Sequence, residues 1–229
     1  MYSARQHYRG DVADRYNDER VGDLKWELEQ QVMARLIGAL PRGASILDVP
    51  LGTGRYLPFY ERGGHHVVGL DVSGDMMRQA RLGTTLIGAL IGDVTRIPLA
   101  DRSVDYVVST RLMNWLPPDV FARAIAEIAR VARQGVLLGI RESERVRRDH
   151  LPAIWQEFSA TPRASLRRVL RPLLRRQHAI LVHPMGSVHA ELARHRLEIV
   201  DRVQIDEGTA FSRRAFYHSP LHTYVLRVA

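Results

Sequence analysis

The chain has 229 residues, of which 45% are hydrophobic and 25% are charged, and its formal net charge is +8. This length predicts a single domain with additions, over residues 1–229. There is no cysteine, which excludes disulfides and cysteine-ligated zinc, and no metal site is predicted. No apolar run reaches the roughly 18 residues of a membrane span, and the N-terminus lacks an apolar signal core. We therefore expect a cytoplasmic protein.

The first 40 residues are expected to form an N-terminal lid and a helix. Asp23 is a suitable cap for a helix over residues 24–40. Apolar residues recur there near helical spacing: Trp26, Leu28, Val32, Leu36 and Leu40.

Beyond residue 44 the chain alternates between strand-like and helix-like patterns. The predicted strands are residues 45–49, 66–71, 86–91, 103–109 and 135–140, and the predicted helices are 54–62, 74–81 and 119–132. Such alternation indicates a parallel sheet with right-handed crossovers. Residues 187–229 are expected to add a helix over 187–195 and strands over 197–205 and 221–228.

The most informative segment is residues 46–55, where an apolar run ends in Asp48 and the turn Gly52-x-Gly54 follows. A second apolar run ends in Asp71. Two glycines let the backbone turn tightly and approach a ligand, and an acid after the second strand accepts hydrogen bonds from a ribose. The pattern predicts a site for a nucleoside-containing cofactor.

Two residues favour S-adenosylmethionine over NAD. The third glycine of a dinucleotide motif is replaced by Leu57. Asp48 would repel a pyrophosphate, whereas an ammonium and a sulfonium would attract it.

These segments resemble the class I S-adenosylmethionine-dependent methyltransferase family. Residues 48–54 resemble its first motif, with Pro50 in place of a glycine. Residues 69–73, 92–99 and 103–117 resemble the following motifs in order, so that the likeness covers residues 45–142, the cofactor-binding half. The resemblance implies a doubly wound α/β fold. Its sheet would have seven mostly parallel strands and end in an antiparallel C-terminal pair.

The resemblance also implies which residues hold S-adenosyl-L-methionine. Asp71 would bind the ribose, Asp93 would contact the adenine amino group, and Tyr16 in the lid would cover the methionine end. The full set of expected cofactor-binding residues is Asp48, Pro50, Gly52, Gly54, Arg55, Asp71, Val72, Asp93, Val94, Arg111 and Tyr16.

Residues 143–186 are expected to form an arginine-rich insert. Between residues 144 and 178 there are nine arginines and three acids, so this part carries +6 of the net charge. Leucines on one face indicate an amphipathic helix interrupted at Pro172. A solvated basic face and a surface for an anionic substrate, a membrane or RNA all remain open, although RNA and membrane are not favoured.

Methyl transfer relies on proximity and orientation, and a general base is needed only if the acceptor must lose a proton. The catalytic candidates are His218, His150 and Arg111, with His183, His222 and Arg141 also near expected strand ends. The favoured function is methylation of a small-molecule acceptor, with an anionic acceptor suggested by the insert. Three alternatives stay open: an RNA or protein methyltransferase, a phospholipid-headgroup methyltransferase, and a cofactor-binding protein with a different reaction or none.

Overall fold

A computed structural model describes residues 24–80, 85–143, 181–205 and 221–229. The helices are α1 Leu24–Gly38, α2 Leu57–Gly63, α3 Gly74–Met77, α4 Pro118–Val131 and α5 Met185–Arg194, and Met113–Trp115 forms a 3-10 turn. The strands are β1 Ser45–Asp48, β2 His66–Asp71, β3 Leu86–Ile91, β4 Val104–Ser109, β5 Ala132–Ser143, β6 His183–Pro184, β7 Leu197–Ile205 and β8 Leu221–Val228.

The strands form one sheet in the order β3-β2-β1-β4-β5-β8-β7, and β6 pairs with the end of β5. Pairs from β3 to β5 are parallel, whereas β8 is antiparallel to both β5 and β7. The predicted seven-stranded sheet with an antiparallel C-terminal pair is confirmed, and the two-residue strand β6 is an addition to it.

Both faces of the sheet are buried, as expected for a doubly wound fold. Alternate residues of one strand face opposite ways, so Leu47 and Ile46 enter two different core clusters. One cluster contains Ile125 of α4 and Val188 of α5. The other contains Met33 of α1 and also draws on α2. The helices therefore cover the sheet on both sides.

Several element boundaries differ from the sequence-based prediction. The helix expected from residue 54 begins at Leu57, because Gly52 and Gly54 adopt positive φ angles of 56° and 76° that no helix accommodates. The strand expected over residues 135–140 extends from Ala132 to Ser143, since it pairs with three neighbours. Helix α3 is a single turn that ends at Met77.

None of the helices within the described ranges is both long and apolar enough to cross a bilayer.

Candidate cofactor site

The strand order reverses between β1 and β4, which creates a topological switch point. Successive strands extend the sheet to one side through β2 and β3, and to the other through β4 and β5. Loops that leave the carboxyl ends of two such strands diverge and leave a crevice, which is where open α/β sheets bind ligands. The loop after β1 contains the Gly52-x-Gly54 turn, and the loop after β4 begins at Thr110.

The glycine turn is built on backbone conformations that side chains disfavour. Gly52 and Gly54 both have positive φ angles. A Cβ at Gly54 would lie 2.5 Å from a methyl carbon of Leu57 and 3.0 Å from the Cβ of Ala80. The residue that replaces the third motif glycine, Leu57, thus packs into space that Gly54 leaves empty.

Asp71 at the end of β2 holds the glycine turn in place. One carboxylate oxygen accepts the Gly52 backbone N–H at 2.8 Å, and the other accepts the Ser73 backbone N–H at 2.8 Å. Burial raises the pKa of Asp71, while these backbone donors oppose the shift. The cap of α3 is Ser73, whose hydroxyl accepts the Met76 backbone N–H.

Asp48 at the end of β1 is a buried acid, with 3% of its surface exposed. Burial raises its pKa well above the ordinary value, and the negative charge of Asp71 adds to the shift. The Tyr60 hydroxyl and Arg55 act in the opposite direction without overcoming it. A cationic group bound beside Asp48 would favour its charged form, because an adjacent opposite charge favours ionisation.

Arg55 and Arg111 converge on a third buried acid, Glu29 of α1. One Glu29 oxygen accepts Arg55 Nη1 at 3.1 Å and Arg111 Nε at 2.6 Å, and it also pairs with Arg111 Nη2. Although burial by itself raises the pKa of Glu29, Arg111 and Arg55 more than offset this and hold it below the ordinary value. Arg111 is thus part of a buried ion-pair cluster as well as a candidate for ligand contact.

Aromatic and hydroxyl groups complete this cluster. The Arg55 guanidinium lies 3.7 Å from the centroid of the Trp26 ring, and Arg111 lies 5.3 Å from it. The Tyr56 hydroxyl lies 3.4 Å from Glu29 and 3.2 Å from the Thr110 hydroxyl. Residues after β1 and after β4 are thereby linked both to each other and to α1.

The remaining expected cofactor residues have local contacts in addition to any ligand role. Asp93 accepts the backbone N–H and the hydroxyl of Thr95, both at 2.8 Å, and so forms a turn at the end of β3. Val94 is buried in the core. The backbone of Val72 contributes a hydrogen bond to Asp71. Pro50 is half-buried beside Leu51.

A second ionisable cluster lies at the same edge of the sheet, where β5, β7 and β8 meet. The Tyr224 hydroxyl lies 2.6 Å from both carboxylate oxygens of Glu142, and Arg202 Nε donates to Glu142 at 2.8 Å. His222 Nδ1 is 3.3 Å from Glu142, and burial together with Arg202 lowers the pKa of His222. This cluster places His222 near the strand ends, on the side of the sheet away from the glycine turn.

His183 contacts a backbone carbonyl and an aromatic ring. Its Nε2 lies 2.9 Å from the Met113 carbonyl oxygen, and its ring stacks on Phe121 at 4.5 Å. Arg141 is buried at the end of β5, where its backbone N–H donates to Asn114. The other candidates, His150, His218 and Tyr16, lie outside the described residues, as does the arginine-rich part of the insert.

Sequence patterns did not identify Glu29 or Glu142 as site residues. Glu29 belongs to a helix that precedes the first motif, and Glu142 follows a strand with no acidic motif. One signal was available for Glu29, since an acid three residues after Trp26 lies on the same helix face. Its two arginine partners, 26 and 82 residues away in the chain, could not be found from spacing.

Comparisons with known proteins agree with this geometry. Residues 46–135 match the model of a family described as "Methyltransferase domain". A malonyl-[acyl-carrier protein] O-methyltransferase of Pectobacterium atrosepticum is 30% identical over 141 residues, which cover 61% of this chain and 55% of that protein. The chain therefore spans about half the length of the curated relatives that it matches.

Two solved structures share the fold over most of their length. Magnesium protoporphyrin IX methyltransferase from Synechocystis PCC 6803, with bound S-adenosylhomocysteine, has a TM-score of 0.67 and 14% identity, and 97% of each chain is covered. The [4+2]-cyclase SpnF has a TM-score of 0.61 and 16% identity, with 85% of this chain and 79% of that chain covered. At such identities the likeness concerns the fold.

The matched family segment contains the glycine turn, Asp71 and Asp93. S-adenosyl-L-methionine was predicted from the sequence as the cofactor. The match to a methyltransferase domain and the shared fold with a methyltransferase that binds S-adenosylhomocysteine confirm this prediction. The matched segment, the curated relatives and the shared fold together support the class I S-adenosylmethionine-dependent methyltransferase family predicted from the sequence.

Proposed function

We propose that this protein transfers a methyl group from S-adenosyl-L-methionine to a small-molecule acceptor. The observation that carries the proposal is Asp48, a buried carboxylate with a raised pKa at the end of β1, next to the glycine turn. A buried acid without a full counter-charge is costly unless a ligand supplies one. The cationic amino-acid end of the cofactor fits that requirement, and a dinucleotide does not.

The residues present fit the cofactor. When bound, S-adenosylmethionine supplies a methyl group activated by a positively charged sulfur. Asp71 retains acceptor capacity for a ribose hydroxyl, because a carboxylate has about four lone-pair sites and this one accepts three backbone N–H groups, from Gly52, Val72 and Ser73. Gly52 and Gly54 keep the turn free of side chains. The main contribution of these groups is to hold the reacting centres at the switch point, since methyl transfer depends on proximity.

We further propose that the acceptor is anionic. The relative from Pectobacterium is named for malonyl-[acyl-carrier protein], and a malonyl group ends in a carboxylate. The arginine-rich part of residues 144–178 carries +6 of the net charge of +8. This segment follows the end of β5 in the chain, and its positive charge would raise the local concentration of an anionic acceptor.

Two measurements test this function. Calorimetry with S-adenosylhomocysteine and with NAD should give tighter binding of the former, and the reverse order would refute the cofactor assignment. Transfer of radiolabelled methyl groups should then be followed with malonyl-CoA, aromatic acids, phenols and amines. Neutral or cationic acceptors that outperform the acids would contradict an anionic acceptor.

The alternative acceptors are tested in the same samples. Methylation or salt-dependent retention of RNA would favour a nucleic-acid substrate, and co-sedimentation with liposomes would favour a phospholipid-headgroup substrate. Cofactor binding without methyl transfer to any acceptor would favour a different reaction on this fold.

A further inference from the structure

Helix α1 packs on the sheet through apolar residues and reaches the cofactor site with the polar side chain of Glu29. Met33 and Ile37 of α1 are fully buried against the sheet. Glu29, one turn closer to the N-terminus than Met33, is 1% exposed and faces Arg55 and Arg111. Apolar packing therefore accounts for the docking of α1 on the sheet, and the contact of Glu29 with the two arginines needs a separate explanation.

A buried carboxylate between two guanidinium groups contributes little net stabilisation to a fold. Desolvation of the ions offsets much of their attraction, and well-packed apolar side chains of similar volume often stabilise a protein equally well. The two effects oppose each other at Glu29, where burial raises the pKa while Arg111 and Arg55 lower it. The cluster is better explained by what it orients than by its net stabilisation.

What the cluster orients is the pair of loops at the switch point. Arg55 lies in the loop after β1, and Arg111 lies in the loop after β4. Arg111 has a φ of 59°, a conformation that non-glycine residues adopt only when their surroundings enforce it. Its guanidinium is held by Glu29 and lies beside Trp26, so α1 supplies the contacts that accompany this strained backbone.

We propose that Glu29 is a positioning residue for the amino-acid end of the cofactor, an inference that rests on the function proposed above. It fixes the loop after β1 relative to the loop after β4, and so sets the width of the crevice between them. The adenosine end depends on a different set of contacts, because Asp71 takes its hydrogen bonds from Gly52 and Ser73. The two ends of the cofactor should therefore respond differently to loss of Glu29.

The test compares two ligands in the full-length Glu29→Gln variant. S-adenosylhomocysteine carries both ends of the cofactor, whereas 5′-methylthioadenosine carries the same adenosine without the amino acid. Calorimetry well below the melting temperature should show at least tenfold weaker binding of S-adenosylhomocysteine. Binding of 5′-methylthioadenosine should change less than twofold.

The matched control is Glu198→Gln, which also removes a glutamate from an arginine pair, Arg227, but on the exposed surface of β7 and β8. Both ligands should bind this control as they bind the wild type. If Glu29→Gln weakens the binding of both ligands by the same factor, or changes the binding of neither ligand, Glu29 is not a positioning residue and the inference is wrong. A wild-type protein that binds neither ligand would instead refute the function on which it rests.

A milder variant keeps the inference testable if Glu29→Gln does not fold. Tyr56→Phe removes only the hydroxyl that lies between Glu29 and Thr110. We expect this variant to bind S-adenosylhomocysteine at least about threefold more weakly than the wild type does. Its affinity for 5′-methylthioadenosine should again change little. Hydrogen exchange provides a second test that does not depend on measuring an affinity. Binding of S-adenosylhomocysteine should slow amide hydrogen exchange in α1 of the wild type. Equal exchange in α1 with and without ligand would contradict the proposal.

Discussion

The Asp71 carboxylate accepts the backbone N–H of Gly52 at 2.8 Å, so the acid after β2 fixes the turn after β1. These two residues are 19 positions apart in the chain: Asp71 ends β2, and Gly52 lies in the loop after the neighbouring strand β1. The residue expected to bind the ribose thus also shapes the loop that the cofactor approaches. Substitutions at Asp71 should therefore affect both binding and local order.

Asp71→Ala should weaken the binding of S-adenosylhomocysteine by about 1.5–3 kcal/mol, the range for hydrogen bonds to a charged group. It should also speed hydrogen exchange at Gly52, because that amide loses its acceptor. Calorimetry and NMR exchange measure the two effects. Asp119→Ala, at an exposed position on α4, is the control. Unchanged affinity in a folded Asp71→Ala protein would contradict the ribose role.

Asp48→Asn should stabilise the ligand-free protein at pH 7. Burial raises the pKa of Asp48 in the folded state, so the folded protein binds this proton more tightly than the unfolded chain does. Stability then falls as pH rises from the unfolded value, near 4, up through the raised folded value. Thermal unfolding between pH 4 and pH 8 should show a higher Tm and a flatter profile for the variant.

The same Asp48→Asn substitution should weaken binding of S-adenosylhomocysteine by about 1.5–3 kcal/mol, because a neutral amide replaces the partner of a cationic ammonium. Wild-type affinity should rise with pH as Asp48 ionises, and that dependence should be reduced in the variant. A variant that is less stable than the wild type and binds equally well would show that Asp48 is a structural residue.

Gly54→Ala should destabilise the protein more than Gly52→Ala. Both positions have positive φ, which costs an alanine roughly 1–2 kcal/mol. At Gly54 the new methyl group also collides with Leu57, whereas at Gly52 the nearest atom is 3.8 Å away, on Met76. Chemical denaturation of the two variants measures the difference. Equal losses would mean that Leu57 moves aside without cost.

Tyr224→Phe should cost about 1–3 kcal/mol of unfolding free energy, because the buried Glu142 carboxylate loses a donor that lies 2.6 Å from both of its oxygens. Tyr106→Phe is the matched control. Its hydroxyl donates to Gln134 at the surface, so we expect a change within about 0.5 kcal/mol. Urea denaturation distinguishes the two, and similar losses would argue against a special role for Tyr224.

Replacing Arg167, Arg168 and Arg171 together by Gln should leave cofactor affinity unchanged and reduce turnover of an anionic acceptor. The effect should shrink as salt approaches physiological strength, where the Debye length is about 8 Å. The control replaces three exposed arginines elsewhere, Arg78, Arg123 and Arg194, by Gln. Full activity of the insert variant would indicate a solvated helix face.

The sequence alone determined the parts of this protein that depend on neighbouring residues. Alternating apolar runs identified the strands, and the turn Gly52-x-Gly54 between two acids identified the class of cofactor, because a nucleoside site needs these residue types at strand ends. The helix start was placed three residues early, since positive φ at Gly54 cannot be read from a pattern that favours a helix immediately after the turn.

Only the tertiary structure decided which charges are buried together. Glu29 meets Arg111 across 82 residues because helix α1 packs beside the loop after β4, and Glu142 meets Tyr224 across another 82 because β5 pairs with β8. In the sequence, Arg111 was equally compatible with a ligand contact and an ion pair. Its partner became identifiable once α1 was placed over the switch point, since a charge finds its counter-ion through space and not along the chain.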